Sequence, residues 1–393
     1  MKTFAKTAAA VLVVTLIAVP MFAARGSAVF TRFVAIGDSY GAGIQSGSLN
    51  ERHQPFNWPS VVARQVGAPD FQQPIVSFPG IGPELQLVNA TTFPPVITPA
   101  AGQGTPINLN LPRPYNNLSI PGANVTDVTT LTGKEAPTST AKTFAQFILR
   151  GLGTEVQQAI AQQPTFIAIW IGGNDGLGAV LGGTPALLTP VDTFRTSYNK
   201  MLDDLIAGAP NAGMVVGNLP NNISSIPFTT TVAPVIVNPA TRQPVLGPDG
   251  NPIFLFADLG GGTLGQLPPG SRVLLSASTD LGQGFGIPPT LKNVPPFNAL
   301  PHAGEPLPDR DVLTPTEIAA IQTRADEFNA VITASASARN IPVADVKGLF
   351  DRVRTGQQFV GPFAVKSDFI TGGMFSLDGF HASDLGYILF ANE

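Results

Sequence analysis

The chain has 393 residues, a formal charge of −4, 44% hydrophobic and only 12% charged side chains. That composition is too apolar for intrinsic disorder, and the mild acidity, with no Lys/Arg-rich run, offers no electrostatic footprint for nucleic acid. The absence of cysteine excludes disulfides, thiolate metal sites and cysteine nucleophiles, and three histidines (His53, His302 and His381) all but exclude a histidine-rich metal cluster.

In chain order, Met1 to Lys6 is basic, Thr7 to Phe22 carries no charge, and Ala23-Ala24-Arg25-Gly26-Ser27-Ala28 is mostly small. This succession predicts a secretory signal peptide over residues 1–28, cleaved after Ala28, and hence a periplasmic or secreted protein. An uncleaved N-terminal anchor is the alternative. No cysteine is present to accept a lipid. The remaining residues, 29–393, are expected to form one domain.

The apolar run 33–36 predicts a strand that stops at Gly37-Asp38-Ser39-Tyr40-Gly41. A serine at such a strand-to-helix turn is either a capping residue or an exposed nucleophile. Residues 67–116 are rich in Pro and Gly and read as an insertion, partly folded as a hairpin. Asn117-Leu118-Ser119-Ile120-Pro121-Gly122-Ala123 reads as a loop in which Gly122 bares a backbone N–H. A helix is expected over residues 141–162, broken near Gly151-Leu152-Gly153. The run 165–171 is the strongest strand, apolar on both faces, and it ends at Gly172-Gly173-Asn174-Asp175. Thr189-Pro190-Val191-Asp192 opens a helix with Phe194, Tyr198, Leu202 and Leu205 on one face.

A strand at 214–216 precedes a second Pro/Gly-rich insertion, residues 228–310, with a turn region near 257–262. Thr314-Pro315-Thr316-Glu317 is a capping box with proline at the first helical position. It opens a helix whose apolar residues Ile318, Ile321, Ala325, Phe328 and Ile332 step by three and four. A strand at 341–346 follows. Continuous rather than alternating apolarity in these strands, with helices between them, predicts an α/β fold with a parallel sheet covered on both faces. Ser383 is expected to cap a last helix, still apolar at Leu385, Ile388 and Leu389, that either closes the domain or continues past Glu393.

Chemistry concentrates where strands end. A serine nucleophile needs a base, and the base an orienting group. Ser376-Leu377-Asp378-Gly379-Phe380-His381 supplies both three residues apart; otherwise it is a surface loop with a chance histidine. Acyl transfer also needs donors for a developing oxyanion, which the Asn174 amide and the Gly122 loop can provide. His53 and His302 sit in Pro-rich stretches and read as surface residues or lid contacts. Asp38 and Asp175 read as acids that fix turns rather than as metal ligands.

Taken in order, Gly37-Asp38-Ser39, Gly122, Gly172-Gly173-Asn174-Asp175 and Asp378-Gly379-Phe380-His381 resemble the blocks of the SGNH subgroup of the GDSL family of serine esterases and lipases. The resemblance spans Gly37 to His381 through few residues. It implies a flavodoxin-like three-layer α/β/α sandwich with a parallel central sheet, here carrying long insertions. It implies Ser39 as nucleophile, His381 as general base and Asp378 as its orienter. The oxyanion hole it implies is the backbone N–H of Ser39, the backbone N–H of Gly122 and the side chain of Asn174, with no metal and no cofactor.

Tyr40 and Gly41 depart from the leucine and threonine common in that family. Gly37-x-Ser39-x-Gly41 also fits an α/β-hydrolase nucleophile elbow, but that fold needs several strands before its elbow. The substrates expected are small-molecule, lipid or glycan esters, with contact at a membrane surface in the lipid case and no nucleic acid. An O-acetyl carbohydrate esterase, or an exported binding protein silent in catalysis, are the alternatives.

Overall fold

The computed structural model describes residues 28–91, 95–239 and 241–393, so the expected signal peptide lies outside the described residues except for Ala28. Four parallel strands form the central sheet in the order β1 (Phe33–Gly37), β2 (Phe166–Trp170), β3 (Gly213–Gly217) and β4 (Val343–Ala344). In register, Phe33 pairs with Phe166 and Gly37 with Trp170, so the ends of β1 and β2 are level. Phe33, Val34, Ala35 and Ile36 are all buried, as continuous apolarity requires of a strand covered on both faces.

Residues 116–120 add a fifth parallel segment on the free edge of β1. Ala35 N–H donates to Asn116 O at 2.9 Å, and Leu118 N–H donates to Ala35 O at 3.0 Å. In chain order the sheet therefore reads 2-1-3-4-5, the doubly wound arrangement whose ligand crevice opens at the carboxyl ends where the order reverses, here between β1 and β2. The expected loop at 117–123 is thus extended and paired with β1 over its first part, up to 120. The expected strand at 341–346 is shorter than its apolar run: only Val343 and Ala344 pair, because Asp345 already caps the next helix.

The helices around the sheet are α1 (Ser39–Ala42), α2 (Trp58–Gln65), α3 (Thr140–Ile148), α4 (Glu155–Ala161), α5 (Asn174–Leu181), α6 (Val191–Gly208), α7 (Pro315–Ser337), α8 (Val346–Arg354) and α9 (Asp384–Phe390); two short helices, Asp127–Thr130 and Ser278–Gln283, lie in connecting segments. One face of the sheet carries α4, α6 and α7; the other carries α2, α8 and α9, with Phe350 of α8 stacked on Phe390 of α9 at 5.5 Å. The expected helix over 141–162 is two helices, α3 and α4, separated by Gly151 and Gly153, both at positive φ. The Thr314–Glu317 capping box forms in both directions. At α6 the expected cap does not form: Pro190 occupies the cap position, and the Thr189 carbonyl instead accepts from Arg324 at 2.6 Å.

The first Pro/Gly-rich stretch contains an antiparallel pair, Leu85–Asn89 with Val96–Pro99. The second builds a small core of its own from Ile236, Leu255, Leu267, Ile287, Phe297 and neighbours. Short strand pairs, Phe256–Asp258 with Leu264–Gln266 and Arg272–Val273 with Val312–Leu313, frame that core. Among the described residues no helix is long and apolar enough to cross a membrane.

Candidate active site

Asp38 caps α1, accepting the Tyr40 N–H at 3.0 Å, and so sets Ser39 as the first residue of the helix. Ser39 sits at the carboxyl end of β1 and lines a pocket of about 110 Å³ together with Gly173 and Asn174 from the end of β2. As the first residue of a helix, Ser39 has a backbone N–H with no intrahelical acceptor. The Gly122 N–H is also without a protein acceptor. Gly122 lies at φ +83°, and a Cβ there would come within 3.0 Å of Thr140 and 3.1 Å of the Ala141 nitrogen, so the turn admits no larger residue.

The same loop orients Asn174. Its Nδ2 donates to Ala123 O at 2.9 Å, which spends one amide hydrogen and leaves the other. Asp175 holds the loop from behind, accepting from Val125 N–H at 3.0 Å. The Ser39 and Gly122 N–H groups and the Asn174 amide thus follow three adjacent parallel segments, the 116–120 segment, β1 and β2. Asn174→Ala is expected to lower kcat by roughly 10²–10³ with little change in KM. Steady-state kinetics on a p-nitrophenyl ester check it; a loss confined to KM would assign Asn174 to ground-state binding.

The histidine loop comes from the other side. His381 Nδ1 lies 2.9 Å from Asp378 Oδ2, and both side chains are 8% exposed. Gly47 N–H donates to the same oxygen at 2.7 Å, and the N–H groups of His381 and Phe380 donate to Oδ1 at 2.8 and 3.1 Å. Burial pushes the Asp378 carboxyl up, but the charge and hydrogen bond of His381 and the two loop N–H groups outweigh it, so its pKa falls below the usual carboxylate range. Nε2 of His381 is buried and makes no hydrogen bond. It is thus the one free basic atom of the ring, beside the Ser39 turn but not bonded to Ser39 Oγ, as is common before substrate binds.

Tyr40 ties the two halves together. Its hydroxyl donates to the Phe380 carbonyl, and its ring lies 5.6 Å from that of His381 and 5.1 Å from that of Trp170. Tyr40, one of the two departures from the resembled pattern, is therefore a strap between serine turn and histidine loop. The second Pro/Gly-rich stretch braces the loop as well: Phe228 N–H donates to Gly379 O at 2.9 Å. Nothing in the sequence marked Gly47, Tyr40 or Phe228 for these roles.

The acids beneath the site are more neutral than their residue types suggest. Burial raises Asp38 to about 7; the Tyr40 N–H and His381 offset part of this and Asp175 adds to it. Burial likewise raises Asp175 to about 6, and Glu155, which accepts from Gly37 N–H at 3.3 Å, well above the usual range. The site therefore carries less negative charge than these three carboxylates would otherwise impose.

His53 is not the surface residue expected. Its side chain is 14% exposed, with Nδ1 3.0 Å from Asp384 and Nε2 3.4 Å from Glu84, and these carboxylates raise its pKa although burial alone would lower it. His302 is half-exposed and stacks on Phe285 at 4.2 Å. Among the described residues no cluster of His, Asp and Glu is arranged to hold a metal.

Solved structures with similar folds include a phospholipase A1 from Streptomyces albidoflavus NA297 (16% identity, TM-score 0.36, covering 94% of this chain and 99% of that one). They also include an extracellular lipase from Streptomyces rimosus (14% identity, TM-score 0.37, 92% and 97% covered) and a family 3 carbohydrate esterase from Clostridium thermocellum (11% identity, TM-score 0.34, 92% and 90% covered). A search of curated proteins finds no match. The profile of the GDSL-like lipase/acylhydrolase family matches residues 33–393, nearly the whole chain, and the chain therefore belongs to that family of carboxylic ester hydrolases.

Proposed function

We propose that the protein cleaves carboxylic esters through an acyl-enzyme on Ser39, with Asp378 and His381 completing the triad and Ser39 N–H, Gly122 N–H and Asn174 Nδ2 forming the oxyanion hole. The observation that carries the reading is the unpartnered Nε2 of His381, with Asp378 fixing the opposite nitrogen and Ser39 on the adjoining turn. Ser39 Oγ attacks the ester carbonyl carbon as its proton passes to Nε2. The tetrahedral oxyanion is held by the three donors. Its collapse breaks the ester bond, and the leaving alkoxide takes the proton from Nε2 as alcohol. Water then attacks the acyl-enzyme, giving a proton to Nε2, and that proton returns to Ser39 Oγ as the acid departs.

The lining beyond Ser39 is mostly apolar, with Asn221 and Asn222 as polar exceptions, which favours a hydrophobic acyl group over an acetyl group on a sugar. Export follows from the reading of residues 1–28 as a signal peptide. A fluorophosphonate, which phosphonylates an activated serine, tests the centre of the proposal. Mass spectrometry should place the adduct on Ser39, p-nitrophenyl ester hydrolysis should fall in proportion to labelling, and the exported protein should begin at Val29. Hydrolysis that survives complete labelling, or an adduct on another serine, would refute the acyl-enzyme on Ser39.

A further inference from the structure

The pocket at Ser39 continues as a corridor between two helices. From the start of α5, Gly173 at its cap and Gly176, Leu177 and Val180 within it line the pocket; from α7, Ile321, Ala325 and Phe328 do. Gly176 is inside a helix, where glycine lowers stability relative to any ordinary residue. Close packing does not require it, because a Cβ built at Gly176 would meet a single neighbour within 4 Å, Phe328 Cε2 at 4.0 Å. What the missing side chain leaves is open space along the wall that starts at Asn174.

Away from Ser39 the lining side chains are buried in an apolar cluster. Val180, Ile223 and Ile321 are 5%, 6% and 4% exposed, and Phe228, Leu274 and Leu313 pack behind them. Six residues of helix separate Asn174 from Val180, about 9 Å at 1.5 Å per residue. An extended chain advances roughly 1.2 Å per bond, so about seven or eight bonds fit that length. The volume of about 110 Å³ is somewhat below the ~150 Å³ cavity that encloses benzene, which points to about four or five enclosed carbons.

We propose that this corridor binds the acyl chain of the ester, that it accepts straight chains of about four to eight carbons, and that Gly176 and Ala325 set the limit by leaving its walls open. The proposal rests on Ser39 being the nucleophile at the corridor's mouth. Each methylene buried there is expected to raise kcat/KM about fourfold, up to roughly 200-fold between acetyl and hexanoyl.

The test is kcat/KM of the full chain on p-nitrophenyl esters from acetate to dodecanoate, beside Gly176→Leu and, separately, Ala325→Leu. We expect a maximum between butyrate and octanoate and a fall by dodecanoate. In each variant the hexanoate-to-acetate ratio drops at least tenfold. Gly176→Leu adds a better helix former, and Ala325→Leu approaches the corridor from the opposite wall, so a folding failure in one leaves the other decisive. Acetate turnover without preference for longer chains, or a ratio unmoved by both substitutions, overturns the corridor while leaving Ser39 hydrolysis intact. A rate still rising at dodecanoate overturns the length limit. No turnover of any ester overturns both the corridor and the proposed function.

Discussion

Replacing His381 with alanine is expected to lower kcat on an ester by about 10⁶, Ser39→Ala to lower it as far, and the double variant to lose no more than either alone. The magnitude follows from scarcity. The chain has only three histidines. His53 is held between Glu84 and Asp384, and His302 stacks on Phe285, so neither can serve Ser39. The acids around the site are poor substitutes as bases, because Asp38 and Asp175 are committed to turn N–H groups, Asp38 to that of Tyr40 and Asp175 to that of Val125.

Non-additivity is the sharper test. Proton transfer from Ser39 Oγ to His381 Nε2 is one step, so removing either partner removes all of it, and what remains is binding and the oxyanion hole. Losses that multiply in the double variant would mean that Ser39 and His381 act separately. A single-variant loss below about 100-fold would mean that another group takes the proton.

Much of this site was legible because its chemistry is local in sequence. Asp378 and His381 are three residues apart, so one loop delivers a bonded pair, and Ser39 and Asn174 each follow an apolar run whose end marks the rim of a parallel sheet. The four strands were legible for the same reason. Residues 116–120 were not, because Asn116, Asn117 and Ser119 break the apolar run, and their pairing with β1 is visible only once the sheet exists. The burial of His53 depends on Glu84 and Asp384, 31 and 331 residues away, and no periodicity records such distances.

The corridor shows a different limit. Ile321, Ala325 and Phe328 step by three and four whether they face a packed core or an open pocket. The distinguishing feature is on the opposite helix, where Gly176 withholds a side chain. Tyr40 was visible as a departure from the family pattern, but its role as a strap required the Phe380 carbonyl to be brought beside it from 340 residues away.

Asp378→Asn is expected to lower kcat by about 10⁴ while leaving the backbone path of the loop in place. Every group that faces the Asp378 carboxylate is a donor: His381 Nδ1 and Gly47 N–H at Oδ2, and His381 N–H, Phe380 N–H and the Ser376 hydroxyl at Oδ1. An asparagine cannot turn its NH₂ away from donors, because it meets three at one position and two at the other. The less crowded solution places NH₂ toward His381, which makes Nδ1 the acceptor and puts the remaining ring proton on Nε2. That is the position that must be empty to receive the proton of Ser39, so the imidazole is present, folded and in the wrong tautomer.

The pH dependence separates this from simple unfolding. The folded-state pKa of Asp378 is depressed, so its carboxylate stabilises the fold above the ordinary carboxylate range, and that contribution is lost as pH falls through the depressed value. The Asn variant lacks that titrating contribution, so its stability relative to wild type should be lowest near neutrality and converge toward acid pH, as thermal melts across that range would record. A variant with kcat within tenfold of wild type at neutral pH would show that His381 is oriented by something other than Asp378, and the five hydrogen bonds would then be a device for shaping the loop.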